Sequence, residues 1–188
     1  MIRVAEVVFA EHGYATAAMD DIAQQVGVSK PMLYEYFGSK EGLLLACIRQ
    51  SRTELRDVTT RAAMAADTAE HAMRAGLYAF FEFISERKQS WALLRHEMLL
   101  IGTSASDEIE VTRRHQTDMI AGVMRAHAPA ASEQRLAAFA EFVVGGCERL
   151  AIWCEAQENV PPQTATEYAM DLLWPGFAQQ AGGSREAL

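Results

Sequence analysis

The sequence predicts an all-α protein of about nine helices. Apolar residues recur at helical spacing in nearly every segment, no stretch alternates apolar and polar residues as a half-buried strand does, and Gly or Pro punctuates the ends of the periodic runs. The first helix carries Ala5, Val8, Phe9 and His12 on one face and is expected to stop at Gly13, a residue type that takes the left-handed conformation after a helix end. A second, short helix spans Met19 to Val26, with Ile22, Ala23 and Val26 inward and Gly27 closing it. A third covers about Pro31 to Phe37. The fourth opens at Ser39, has Glu41 in its first turn to complement the helix dipole, and continues through Leu44, Cys47, Ile48, Leu55 and Val58.

Thr68 to Lys88 carries an aromatic cluster of Tyr78, Phe80, Phe81 and Phe83, and Trp91 to Ile101 reads as a short apolar helix ending at Gly102. Asp107 to His127 is amphipathic and stops before Pro129. Ser132 to Glu155 starts with a capping residue and repeats Leu136, Phe139, Val143, Cys147, Leu150 and Cys154 at spacings close to those of a coiled-coil seam. Pro161-Pro162 interrupts the chain, Thr164 or Thr166 restarts it, and Tyr168, Leu172, Leu173 and Phe177 continue an apolar face until Gly182-Gly183 release a polar tail.

With 188 residues, half of them hydrophobic, the chain has enough apolar surface for one core, or for a small module beside a larger one. The net charge of −8 does not attract nucleic acid globally, so any DNA reading rests on local geometry. No apolar run approaches the ~20 residues of a membrane span, and the N-terminus lacks the ordered regions of a signal peptide, so a cytoplasmic protein without a membrane partner is expected. Three cysteines make no disulfide framework; Cys147 and Cys154, if on one helix, stand about 10 Å apart along its axis.

The most specific signal is MDDIAQQVGVSKPMLYEYF, residues 19 to 37: short helix, tight turn centred on Gly27, short helix. This is helix-turn-helix spacing. Ile22, Ala23, Val28 and Leu33 would lock the two helices at a steep angle, so that the second presents its N-terminal end as a rigid reader, its backbone N–H groups and dipole favouring phosphate. Ser29 caps that helix by accepting from Met32, or else Pro31 displaces Lys30 from helical geometry and the helix starts one residue later. The reader face is the same either way.

On FAEHGY (Phe9 to Tyr14), the helix-turn-helix segment and GSKEGLL (Gly38 to Leu44), in this order and spacing, the chain resembles the tetracycline-repressor (TetR) family of bacterial one-component regulators. The motifs cover about the first 50 residues; the rest is similar in size, helix count and its long penultimate helix. The resemblance implies a DNA-binding domain over residues 1–50 and a ligand-binding and dimerisation domain over 51–188. It implies a homodimeric repressor on a palindromic double-stranded operator, released by a small effector of largely apolar or aromatic character. No cofactor, metal or catalysis is implied.

Carried over residue by residue, the resemblance puts Ser29, Lys30, Pro31 and Met32 at the start of the reader helix, Tyr34 and Tyr36 on its groove-facing side, and Lys40 against a phosphate. Lys30 or Tyr34 would specify sequence, while Lys40 and Tyr36 fix register. Two departures stand out. Where the family places Thr or Ser before the second helix, Ala17 and Ala18 stand here, a loss of about 0.5–2 kcal/mol that Asp20 and Asp21, or a shifted Thr16, would soften. The family also commonly carries a basic arm ahead of the first helix, whereas residues 1 to 50 hold Arg3, Lys30, Lys40 and Arg49 against Glu6, Glu11, Asp20, Asp21, Glu35 and Glu41. A net acidic module is expected to bind DNA weakly and with a shallow salt slope.

For the effector, the resemblance points to Phe80, Trp91, His96, Met98, Met119, Phe142, Arg149 and Trp153, residues that a plain helical core would equally use. For the dimer, Phe139, Val143, Gly146, Cys147 and Leu150 of the long helix with Leu172, Leu173 and Phe177 would form half of a four-helix bundle, or else intrachain core. Gly145-Gly146 in mid-helix, a cost of about 1 kcal/mol each, fits close approach of another helix. Two other classes compete: an all-α enzyme with a site assembled from distant residues, and a helical protein-binding adaptor. The enzyme is disfavoured because no Glu-x-x-His, G-x-S-x-G, G-x-x-x-x-G-K or G-x-G-x-x-G occurs and no Cys pair has zinc-ligand spacing.

Overall fold

The computed structural model describes residues 1–96, 106–157 and 160–181. Among them run nine α-helices and no strand: α1 (Ile2–Thr16), α2 (Met19–Val26), α3 (Lys30–Phe37), α4 (Lys40–Met64), α5 (Ala69–Glu86), α6 (Lys88–His96), α7 (Ser106–His127), α8 (Glu133–Ala156) and α9 (Pro162–Ala181). The expected end of the Trp91 helix at Gly102, the site residue Met98, the His96 side chain and the Gly182-Gly183 tail lie outside the described residues.

The helix ends follow local chemistry. Ser29, Ser39, Thr68 and Ser132 each accept a backbone N–H of the following turn, at 3.4, 2.9, 3.2 and 3.3 Å, and so satisfy donors that a helix start leaves open. Gly13, expected to end the first helix, instead kinks it: its backbone is non-helical (φ 75, ψ 158) and one further turn reaches Thr16. The last helix starts at Pro162, where the missing N–H costs nothing, and neither Thr164 nor Thr166 caps it; the Thr166 hydroxyl donates back to the Pro162 carbonyl at 2.7 Å.

The chain forms two compact units. One comprises Met1–Glu54 and Arg87–Thr112, the other Leu55–Glu86 and Arg113–Leu188, so the first draws in α6 as well as the helix-turn-helix and differs from a simple cut at residue 50. In the first unit α1 packs on α2 and α6, and α2 on α3. Its core holds Val8, Phe9, Ile22, Leu33, Leu43, Cys47, Trp91 and Leu94. Each such large side chain contributes about 1.5–3 kcal/mol by leaving water. In the second unit α9 lies along α5 and α8, with Ala72, Leu77, Phe80, Ala140, Val144, Ala165, Met170, Leu173 and Phe177 buried. Helix α4 supplies residues to both units.

Candidate functional site

The turn between α2 and α3 is fixed by Gly27, whose left-handed backbone (φ 79, ψ 30) lets its own N–H reach Gln24 O at 3.2 Å while Val28 N–H reaches Ala23 O at 3.0 Å. α3 then begins at Lys30, with Ser29 as its cap and Pro31 in the first turn, where no N–H is needed. Of the two starts open to the sequence, this is the capped one. Leu33 is fully buried, whereas Met32, Tyr34 and Tyr36 are 39%, 41% and 68% exposed. This eight-residue helix therefore buries one leucine and leaves Tyr34 and Tyr36 exposed to solvent.

Lys30 donates to the Asp20 carboxylate at 2.8 Å, and that hydrogen bond, with Asp20's charge, raises the Lys30 pKa. Lys40 donates to the Ala15 carbonyl at 3.2 Å and lies 4.8 Å above the Tyr14 ring, tying the start of α4 to the end of α1. Thr16 is exposed and does not cap α2, whose N-cap Ala18 has no side-chain acceptor; only Asp20 and Asp21 complement that end.

A second polar cluster, unmarked by any motif, fastens α1 to α4. The buried Glu6 carboxylate accepts from Ser51 Oγ at 2.7 Å, and Arg3 donates through one nitrogen to both Glu54 oxygens at 2.7 Å. Burial opposes ionisation of Glu54, but hydrogen bonds from Gln50 and Arg3 and the Arg3 charge outweigh it and lower its pKa. The Cys47 thiol, 3.7 Å from the Ile2 carbonyl oxygen, is pushed up to about 12 by burial and the nearby Glu6, which makes it inert. The partners are 51 residues apart for Arg3 and Glu54.

The second unit contains a cavity of about 110 Å³, or about 820 Å³ of atom-free space with its mouth included. α5 contributes Ala72, Met73, Gly76, Leu77 and Phe80 to it, α8 Val143, Val144 and Cys147, and α9 Phe177. α4 adds Thr59, Thr60 and Ala63, and α7 adds Gln116, Ile120, Val123, Met124 and His127. Among the described residues no group of three His, Cys, Asp or Glu stands close enough to hold a metal ion.

The placement of the sequence-predicted ligand and dimer residues differs from expectation in a regular way. Phe80 is at the cavity wall, and Met119 adjoins it beside Thr60. Trp91 instead belongs to the core of the first unit. Phe142 and Trp153 point outward, 69% and 45% exposed, and Arg149 is exposed too. Conversely Val143, Cys147 and Phe177, expected at a dimer seam, line the cavity, and burial pushes the Cys147 thiol up to about 12. Leu173 is buried, Leu150 is half-buried, and Phe139 packs on Phe177 at 5.6 Å and against Gly176. Gly146 and Leu172 are exposed. The outer stripe is therefore Phe142, Gly145, Gly146, Arg149 and Trp153 on α8, with Tyr168 and Leu172 on α9, joined by an edge contact of Trp153 with Tyr168 at 6.3 Å.

Residues 1–47 match the family model for bacterial regulatory proteins of the tetR family, and residues 69–176 match the model for tetracyclin repressor-like C-terminal domains. The chain is 24% identical over 178 residues to the HTH-type transcriptional activator FasR of Mycolicibacterium smegmatis, covering 95% of this chain and 81% of that protein. It is 30% identical over 154 residues to the HTH-type transcriptional regulator BetI of Rhizobium meliloti, covering 78% and 73%. In fold it resembles the transcriptional regulator FadR of Bacillus subtilis, solved in complex with stearoyl-CoA, with a TM-score of 0.81 at 16% identity over 92% of this chain and 95% of that one.

Proposed function

This chain belongs to the tetR family of bacterial regulatory proteins, and from that premise we propose that it is a ligand-responsive repressor that binds a palindromic operator as a homodimer and leaves it when a small apolar molecule occupies the cavity of the second unit. The observation that carries the reading is the capped α3 with Met32, Tyr34 and Tyr36 exposed on a helix anchored by Leu33. Lys30 and Tyr34 read base edges, while Thr16, Ser29, Tyr36 and Lys40 contact the backbone and set register. Pro31 shapes the first turn of the reader helix, next to Met32.

The dimer forms through the outer stripe of α8 and α9. Phe142, Trp153, Tyr168 and Leu172 are large apolar residues in solvent at helical spacing, which is what a two-fold, self-complementary interface requires. Gly145 and Gly146, with open space where a Cβ would stand, let a second helix come close. The paired readers then meet successive major grooves ~34 Å apart.

The effector acts through α4, whose Thr59, Thr60 and Ala63 line the cavity and whose earlier residues belong to the DNA-binding unit. Such coupling is reciprocal and is typically about 1–3 kcal/mol. Repression needs operator occupancy alone, and the protein works in the cytoplasm as a regulator without catalysis. None of the described helices is long and apolar enough to cross a membrane.

The test is selection of genomic fragments with the purified protein, footprinting of the fragment retained, binding at two salt concentrations, and a reporter driven by the same fragment. A protected palindrome, salt-sensitive binding and a repressed reporter are expected. A reporter that rises instead makes the protein an activator, the action named for its M. smegmatis relative. No selection above background overturns the regulator.

A further inference from the structure

Resting on the effector reading above, we infer that the cavity takes a slim, uncharged molecule whose oxygen accepts a hydrogen bond from Thr60, displacing the sulfur of Met119 and so releasing α4 from α7. Size sets the first condition. An engineered cavity of about 150 Å³ accommodates benzene, and this one is about 110 Å³ behind an open mouth, so it admits a narrow chain end rather than a broad ring system.

Charge sets the second. Among the described lining residues there is no Asp, Glu, Lys or Arg. An ion driven into such walls meets no carboxylate, ammonium or guanidinium, and burying it costs far more than burying a neutral dipole. The polar groups are Thr59, Thr60, Gln116 and His127, all on α4 and α7, while α5, α8 and α9 offer apolar side chains and the neutral thiol of Cys147. The occupant therefore lies with its polar atom toward α4 and α7.

The two threonines differ in what their protons already do. Thr59 donates to the main-chain oxygens of Leu55 and Arg56, at 2.9 and 3.0 Å, and has strong acceptors. The Thr60 hydroxyl instead faces the Met119 thioether, and a thioether is a weak acceptor. A carbonyl oxygen entering the cavity outcompetes sulfur for that proton, whereas it gains nothing from Thr59. The exchange removes a polar link between α4 and α7, within the same unit, at the helix that also supplies the DNA-binding unit.

The experiment titrates the full chain at neutral pH with methyl hexyl ketone, octanoate and octylammonium, following heat release and operator release. The ketone is expected to bind at least about tenfold more tightly than either ion. Thr60→Val, nearly the same shape without the hydroxyl, lowers ketone affinity by up to about tenfold, and Thr60→Ser restores it. Octanoate binding as well as the ketone, or a Val variant that melts normally and binds the ketone unchanged, overturns the inference. Ala72→Leu, which fills the cavity, separates this from failure of the effector reading. Ketone binding lost on Ala72→Leu but indifferent to Thr60 sinks only the hydrogen-bond exchange; no binding of any probe, or binding indifferent to Ala72→Leu, sinks the effector site as well.

Discussion

Lys30 on α3 and Asp20 on α2 form an ion pair of 2.8 Å across the turn at Gly27. Both residues are solvent-exposed, so the pair adds little to stability, but it sets the charge at the start of α3, which under the proposed function faces DNA. Asp20 cancels much of the Lys30 cation and itself repels phosphate. Asp20→Asn should tighten DNA binding and steepen the salt slope by about one ion, at a loss of less than about 1 kcal/mol from the weaker N-terminal charge on α2. Fluorescence anisotropy at a series of salt concentrations measures both. Weaker binding would mean that Asp20 positions Lys30 rather than screening it.

Under the proposed function Tyr34 reads bases and Lys40 anchors the backbone, and their variants tell the two roles apart. Tyr34→Ala should cost about 1–3 kcal/mol of operator affinity and relax preference at one base position, with an unchanged melting curve, because the side chain is 41% exposed. Lys40→Ala should lower affinity on all sequences alike and also the melting temperature, since its ammonium bonds Ala15 O and covers the Tyr14 ring. Parallel footprint and melting measurements tell the two apart; a Tyr34 variant that unfolds would make Tyr34 structural.

Gly42 occupies the third position of α4, where a Cβ would collide with the Phe37 carbonyl oxygen. That oxygen belongs to the backbone of the preceding helix and has little room to retreat. Gly42→Ala should destabilise the first unit by about 1–3 kcal/mol. Gly122→Ala, five residues before the end of α7 and with open space around it, should stabilise by up to about 1 kcal/mol through helix propensity. Urea denaturation of both variants checks the contrast, and a neutral Gly42→Ala would refute the collision.

Local signals were legible and angular phase was not. The α2 boundaries, the Gly27 turn and the Ser29 and Ser132 caps follow from side chains that bond to neighbours within a few residues, so they can be read in the sequence. On α8 the apolar positions include both Phe142 and Val143, two residues 100° apart around a helix. Nothing local says which of them faces inward, and the structure exposes Phe142 and buries Val143. That one phase choice leaves Phe142 and Trp153 in solvent and puts Val143 and Cys147 at the cavity wall. Trp91, expected at the ligand pocket, is buried in the first unit, away from the cavity of the second, and the pairing of Glu6 with Ser51 spans 45 residues without any spacing signature.

Cys47 and Cys147 give the molecule an alkaline limit. Both thiols are pushed up to about 12, by burial first and then by Glu6 and Glu148 respectively. In the unfolded chain thiols ionise near about 8.5, so above that pH the unfolded state releases protons that the folded state keeps. The stabilisation is full below about 8.5 and is lost as pH rises toward 12, each thiol contributing a slope of at most about 1.4 kcal/mol per pH unit. Urea midpoints should fall between neutral pH and about pH 10, and less so in a Cys47→Ala, Cys147→Ala double variant. Equal slopes in the two proteins would contradict the buried thiols.

Leu172 tests the proposed dimer with the least risk to the fold. It is 81% exposed on α9, so a charge there meets water in the monomer and costs little. In a two-fold interface the same substitution appears twice and places carboxylates in an apolar contact. Leu172→Glu should therefore give a monomer by sedimentation with an unchanged melting curve, and operator affinity should fall because each reader then binds its half-site alone. Leu173→Glu, one residue on, buries its charge within the chain and should unfold the second unit instead. A Leu172→Glu protein that sediments as a dimer moves the interface away from α8 and α9, and leaves the exposed Phe142, Trp153 and Tyr168 to some other partner.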